Sequence, residues 1–319
     1  MTAFGTKGDG KSDDTKAIQA ALDACAKKGG GTVVVPGPHT YLIFSIEISG
    51  SNMELHIEEG ATLLASKDQK GWANGKAGSA IIVARKQQHI AITGKGTVDG
   101  QGLQWWIDMK KPGMHDIFRP HTVDFTDVNH AVLADTMYTD GPNHILELGC
   151  NFCELDGVTV LAPPSTGACE KKGTCSHNTD AVDVHGDPFW IHSVNFTTGD
   201  DNVAGHANNT LVEDSYFGSG HGASIGSLCN SYIRNFTVRN VSFHGTTAAA
   251  RIKSHPACGG HVWDVTYEDL VMHDVPTPIA LNQFYFAKPG DKPAVRARRQ
   301  PGAAPPVLHA LLAPRHSLH

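Results

Sequence analysis

Three carboxylates, an imidazole and two cations recur at fixed spacing between residues 178 and 253. The segments read NTDA at 178–181, GDDN at 199–202, GHG at 220–222 and RIK at 251–253. Asp180, Asp201 and Gly222 are evenly spaced along the chain, and Thr179, Asp200 and His221 keep the same period one column back. A period of about 20–50 residues marks a stacked repeat. In such a stack, residues one period apart become neighbours about 4.8 Å apart. Asp180, Asp200, Asp201, His221, Arg251 and Lys253 are therefore expected in one patch.

That patch has the makings of acid/base hydrolysis. Crowded carboxylates repel one another, which pushes one of them towards its protonated form. A protonated acid beside an ionised carboxylate is what cleavage of a glycosidic bond requires. Two carboxyl groups about 6.5–9.5 Å apart leave room for a water and give inversion, and one or two rungs of a stack supply about that separation. His221 is expected one rung from Asp200, within reach to hydrogen-bond it. Arg251 and Lys253 alternate with Ile252 and so share one strand face; a guanidinium fork beside an ammonium suits a ligand carboxylate. Alone, each signal has a plainer reading: an Asp-Asp turn in water, a loop histidine, an exposed Arg-Ile-Lys face, a structural Asn/Asp ladder. Their conjunction in successive repeats at matching columns is hard to reach by chance.

The elements around the patch support the stack. Strand-like runs such as LDGVTVLAP, IHSVNFTTG, VEDSYFGSG and VRNVSFHGT recur, each followed by a second run such as DAVDVHG, DNVAGHA, GASIGSL or AARIKS. Turn residues separate them, and no helix-length periodic segment intervenes. The expected fold is all-β, a right-handed parallel β-helix. Near the N-terminus, Ala17, Ile18, Ala21, Leu22 and Cys25 fall on one helical face. Ser12, Asp13 and Asp14 offer cap oxygens, and Gly29 to Gly31 end the helix. A short helix there reads as a cap over the solenoid's open end. The longest insertion, APPSTGACEKKGTCSH, lies just before Asn178 and is placed to wall the patch. The β-helix is expected over residues 1–287. Residues 288–319, rich in Pro, Ala and Arg, read as an irregular or disordered tail.

The chain has 319 residues and a net charge of -6. Six basic residues and one acid lie from Lys288 onward, so the body before it carries 20 basic and 31 acidic residues, a net of -11. So acidic a body argues against nucleic acid as partner. No apolar run approaches the roughly 18 residues of a membrane span. The opening MTAFGTKGDG has no secretory pattern. Seven cysteines leave at least one unpaired; Cys169 and Cys175 flank a short loop and suit a disulfide in an oxidising compartment. Cys150 and Cys153 form a C-x-x-C without a second ligand pair, which favours buried cysteines over a zinc or redox site.

Taken in order and spacing, NTD at 178–180, GDD at 199–201, GHG at 220–222 and RIK at 251–253 resemble glycoside hydrolase family 28, the polygalacturonases and their relatives. TTGDDNVA, GHGASIGSL and NVSFHGT resemble the family too. The opening FGTKGDGKSDDTKAIQAALDAC is less specific, since lyases of pectin share it. The resemblance covers about residues 4–287. It implies inverting hydrolysis of α-1,4-galacturonosyl links in pectin, an acidic plant polysaccharide, by a monomer without metal or organic cofactor. By position, Asp200 would be the general acid, and Asp180 and Asp201 would hold and activate the water. His221 would support the acid, Arg251 and Lys253 would bind the galacturonate carboxylate, Asn178 would shape the site, and Tyr285 would match a family tyrosine on the leaving side. Such a substrate implies a secreted or periplasmic protein.

Two departures stand out. Ala181 replaces the family's usual glycine. The family continues with further strand-rich coils past Phe286, where this sequence reads as a truncation or a shifted frame, with the last coil's edge uncovered. The alternatives are a rhamnogalacturonan or xylogalacturonan hydrolase, a pectate-lyase-like lyase working with calcium, and a non-catalytic β-helix that binds a glycan.

Overall fold

The structure, a computed structural model, describes residues 2–73, 80–258, 260–287 and 309–311. Its strands pair in parallel with the strands one coil away, giving three faces around a shared core, the parallel β-helix the repeat predicts. One face stacks Ala80–Arg85, the first half of His121–Ala134, the first half of Leu146–Asp156, Val182–His185, Val203–Gly205, Ala223–Leu228, Ala248–Ser254 and Thr277–Asn282. This face carries the patch. A second runs from Gly31–Val35 to Gly260–His273, and a third begins at Asp9–Asp13.

Alternation along each strand decides what goes inside. Val33 and Val35 are buried while Val34 between them is exposed. On the inner side, like residues stack rung upon rung: Phe196 lies over Phe217 with ring centroids 5.7 Å apart, and Phe217 meets Phe243 edge-on at 5.3 Å. Each ring is fully buried, a contribution of about 2–3 kcal/mol apiece. Corners use residues that tolerate the left-handed conformation. Asp214, Asn240 and Asp269 all have positive φ at equivalent corners. Asn240 Nδ2 donates to Asp214 Oδ1, and Asn235 Nδ2 donates to Asn209 Oδ1 at the corner before it. These are the structural ladders that Asn and Asp form in solenoids, and they lie away from the patch.

The N-terminal helix spans Thr15–Lys27 and buries Ile18, Ala21 and Leu22; Ala17 and Cys25 are only half-buried. Its capping differs from expectation. No side chain caps the helix through Asp14. The Asp14 carboxylate instead accepts from the Lys7 and Gly8 amides, and Asp13 accepts from Thr15 N–H. Three short helices, Gln69–Ala73, Leu103–Asp108 and Ala168–Lys172, are too brief to leave a period in the sequence. Cys169 pairs with Cys175 as expected, and Cys229 pairs with Cys258, 29 residues on. Cys150 and Cys153 are buried thiols. The predicted irregular tail lies outside the described residues except for His309–Leu311, which pairs in parallel with Thr266–Glu268 and so covers part of that edge. Among the described residues no helix is long and apolar enough to cross a membrane.

The even coil period needs one correction. Val182 pairs with Val203 and Val203 with Ala223, so the second step is one position shorter than the first. The turn before Ala223 takes up the missing residue, because the preceding strand still pairs Phe196 with Phe217 at the full period. Gly222 is what lets the shortened turn pass. It has φ +84°, and a Cβ there would sit 2.2 Å from the Ala248 carbonyl oxygen.

Candidate active site

The four motifs converge at the outer end of the patch-bearing face. Asp180, Asp200 and Asp201 each offer an oxygen within 4.8 Å of the others. Asp180 and Asp201 lie on adjacent rungs. Backbone bonds fix the rungs: Ile145 N–H donates to Asp180 O, and Ala181 N–H donates to Asp201 O. Thr179 Oγ1 donates to Ser176 O and accepts from Gly199 N–H, tying the NTD turn to the GDD turn. Asn202 Oδ1 accepts from Gly222 N–H, and its Nδ2 donates to Phe196 O and Ser219 O.

The three carboxylates differ in surroundings. Asp200 is on the rim, with 22% of its side chain exposed, and its Oδ1 accepts from Asp201 N–H. Asp201 is buried, and both of its oxygens are bonded. Oδ1 accepts from Ser224 Oγ at 2.8 Å and Arg251 Nη1 at 2.9 Å, and Oδ2 accepts from Lys253 Nζ at 2.5 Å. Asp180 is buried as well. Burial, then the charges of Asp183 and Asp200, pushes its carboxyl well above the usual range, so Asp180 holds a proton more tightly than an ordinary carboxylic acid.

His221 sits between Gly220 and Gly222, and its amide donates to Asp200 O. Its ring does not bond the Asp200 carboxylate as expected. Nδ1 meets Thr247 Oγ1 at 2.8 Å, and Nε2 stops 3.9 Å from Asp200 Oδ1. Arg251 and Lys253 do share a face, and each places one nitrogen on Asp201. Tyr285 closes the cluster: its ring centroid is 5.3 Å from Arg251 Cζ and 5.1 Å from Lys253 Nζ. Asn178 adopts φ +56°, and its Oδ1 accepts from Arg119 Nη2.

Three participants carry no motif. Arg119 also donates to Pro142 O and His177 O, holding the end of the 162–177 insertion beside the carboxylates. Ser224 is the column-mate of Arg251; the coil register was the one signal for it. His144 puts Nε2 3.6 Å from Asp180 Oδ1 and Nδ1 3.1 Å from Glu147 Oε2. Burial works against charge on its ring, but Asp183, Glu147 and Asp180 overcome it and hold the ring protonated up to about 11.

The family model described as "Glycosyl hydrolases family 28" matches residues 25–296. A probable polygalacturonase of Arabidopsis thaliana is 30% identical over 296 residues, covering 89% of this chain and 60% of the relative. An endo-polygalacturonase of Pectobacterium carotovorum subsp. carotovorum is 30% identical over 312 residues, covering 86% of this chain and 73% of the relative. The solved polygalacturonase from Erwinia carotovora ssp. carotovora superposes with a TM-score of 0.74 at 27% identity, over 86% of this chain and 78% of that one. The chain thus spans 60% of the Arabidopsis relative's length, and 55% of that of a polygalacturonase of Cryptomeria japonica.

Proposed function

The chain belongs to the glycosyl hydrolases of family 28, and from that premise we propose that it hydrolyses α-1,4-galacturonosyl links of pectin with inversion at the anomeric carbon. The observation that carries the reading is the convergence of Asp180, Asp200 and Asp201 within 4.8 Å of one another, beside Arg251, Lys253 and Tyr285. Polygalacturonase is what the named relatives' descriptions say of them, and the acid/base groups here suit that reaction.

Asp200, at the rim, protonates the glycosidic oxygen. Asp180 and Asp201, deeper and on neighbouring rungs, hold the attacking water. Burial favours the protonated form of Asp180 in the free chain, so a proton held among the three carboxylates must be on Asp200 when the bond breaks. His144 favours the ionised form of Asp180 as the proton leaves. Arg251 and Lys253 hold Asp201 in place, and their remaining N–H groups, with Tyr285, receive the substrate carboxylate. The two disulfides suit an oxidising compartment, consistent with a secreted or periplasmic protein.

A covalent route with retention is the competing reading. Carboxyls about 5–5.5 Å apart go with a covalent intermediate and retention. Asp201 is a poor nucleophile with both oxygens bonded, which keeps inversion ahead. Incubation with polygalacturonate, followed by proton NMR of the first anomer and by ultraviolet absorbance, separates the readings. An inverted anomer with new reducing ends supports the proposal, a retained anomer supports the covalent route, and an absorbing unsaturated product makes the chain a lyase.

A further inference from the structure

Arg119 stands outside every motif yet joins three segments of the site. It lies just before the strand His121–Ala134, and Pro120 after it disfavours a helical backbone at this position. Its Nη1 donates to Pro142 O at 3.1 Å and to His177 O at 2.9 Å, and its Nη2 donates to Asn178 Oδ1 at 2.8 Å. Pro142 belongs to the turn of one coil, and His177 and Asn178 to the end of the insertion in the next. The Cys169–Cys175 bridge closes that insertion from within, and Arg119 anchors its exit. The guanidinium is half-buried; burial works against its charge, and Asp180 and Asp200 work in favour of it.

A side-chain amide accepts through its oxygen and donates through its nitrogen, so a guanidinium on Asn178 Oδ1 decides which edge of that amide is left for other partners. Among the described residues no acceptor takes a hydrogen bond from Asn178 Nδ2, and the atom is open to water. Asn178 holds φ +56° two residues before Asp180. Asparagine tolerates that conformation, and it persists where the surroundings enforce it. On the reading of the chain as a polygalacturonan hydrolase, we propose that Arg119 is a positioning residue for the substrate. By holding Asn178 Oδ1 it presents both Nδ2–H groups to oxygens of the galacturonosyl unit beside the carboxylates.

The fork is what this geometry needs. Two coplanar nitrogens reach two carbonyls and the amide together, and a charge-assisted bond is roughly twice as strong as a neutral one. A lysine keeps the charge as a point on a flexible stem and does not hold the amide in one plane. Once released, the amide can turn over and set Oδ1 towards the groove, where it meets the oxygens of a polyanion and repels them. The lost contact is one made to bound substrate and transition state alike, so its loss falls on KM rather than on kcat.

The test is a double-mutant cycle of Arg119→Lys and Asn178→Ala on polygalacturonate, read as new reducing ends, with circular dichroism and a melting temperature for each variant. Each single change is expected to raise KM about tenfold with kcat within about threefold of wild type. The double variant is expected to have about the KM of Asn178→Ala rather than a rise of about a hundredfold. Loss of the bonds to Pro142 O and His177 O is read separately, as a lower melting temperature. Arg119→Gln takes the place of Arg119→Lys if the latter does not fold. KM effects that multiply in the double variant, a wild-type KM in either single variant, or a loss confined to kcat and melting temperature would each overturn this role for Arg119, and turnover by wild type would leave the hydrolase reading standing. A wild type that does not cleave polygalacturonate would overturn that reading and the role of Arg119 with it.

Discussion

Lys253 Nζ lies 2.5 Å from Asp201 Oδ2, with both residues buried. A lysine expected to greet the substrate is first of all the counter-ion of a site carboxylate. Arg251 occupies the other oxygen at 2.9 Å. Removing either cation therefore disturbs the acid/base group as well as the binding face.

The consequence for Lys253→Met is a change in kcat beyond any change in KM. Asp201 loses one of the two cations that fix its carboxylate, so the group that holds the water is less well placed and kcat falls. Stability falls by less than the roughly 3–5 kcal/mol of an uncompensated buried charge, because Arg251 stays. Steady-state kinetics across pH and a denaturant titration check this. A rise in KM alone, with kcat unchanged, would restore Lys253 to a purely substrate-binding role.

Asp180 and Asp200 divide the acid and base roles, and leaving-group chemistry tells them apart. Both Asp200→Asn and Asp180→Asn are expected to lose about 10²–10⁴-fold in kcat on polygalacturonate. On an aryl galacturonide whose leaving group needs no protonation, Asp200→Asn recovers most of its rate and Asp180→Asn does not. The reverse pattern would exchange the two roles, in line with the tighter hold of Asp180 on its proton.

Gly222→Ala tests the turn that presents His221. The new methyl meets the Ala248 carbonyl at 2.2 Å, and φ +84° disfavours any side chain. Destabilisation of about 1–3 kcal/mol is expected, with a larger loss of activity than of stability because His221 is the adjacent residue. Thermal melts and kcat together check it, and a variant with wild-type values for both would show that the turn relaxes freely.

Asp140 offers a stability test outside the carboxylate cluster. Burial and then the charge of Asp99 push its carboxyl above the usual range. A group with a raised folded pKa contributes stability below its unfolded pKa and loses it as pH rises, so ionised Asp140 is a liability near neutrality. Asn tolerates the φ of +48° at this position. Asp140→Asn should raise the melting temperature by on the order of a degree at about pH 7 and by less towards pH 3. A gain that does not shrink on acidification would refute the cause given.

The sequence by itself determined the architecture and the membership of the patch. A nearly constant coil length brings residues one period apart into register whatever their identity, so NTD, GDD, GHG and RIK had to meet. Alternation along each strand fixed which side chains face out. What the period could not determine is how those side chains pair once there. The turn before Ala223 drops a residue, which shifts His221 and leaves its ring on Thr247 instead of Asp200. Asp201 draws Arg251 and Lys253 because all three lie on one crowded outer face with little water. Arg119, His144 and Ser224 carry no motif: each stands at an ordinary position in its own coil and acquires a role through what is stacked beside it.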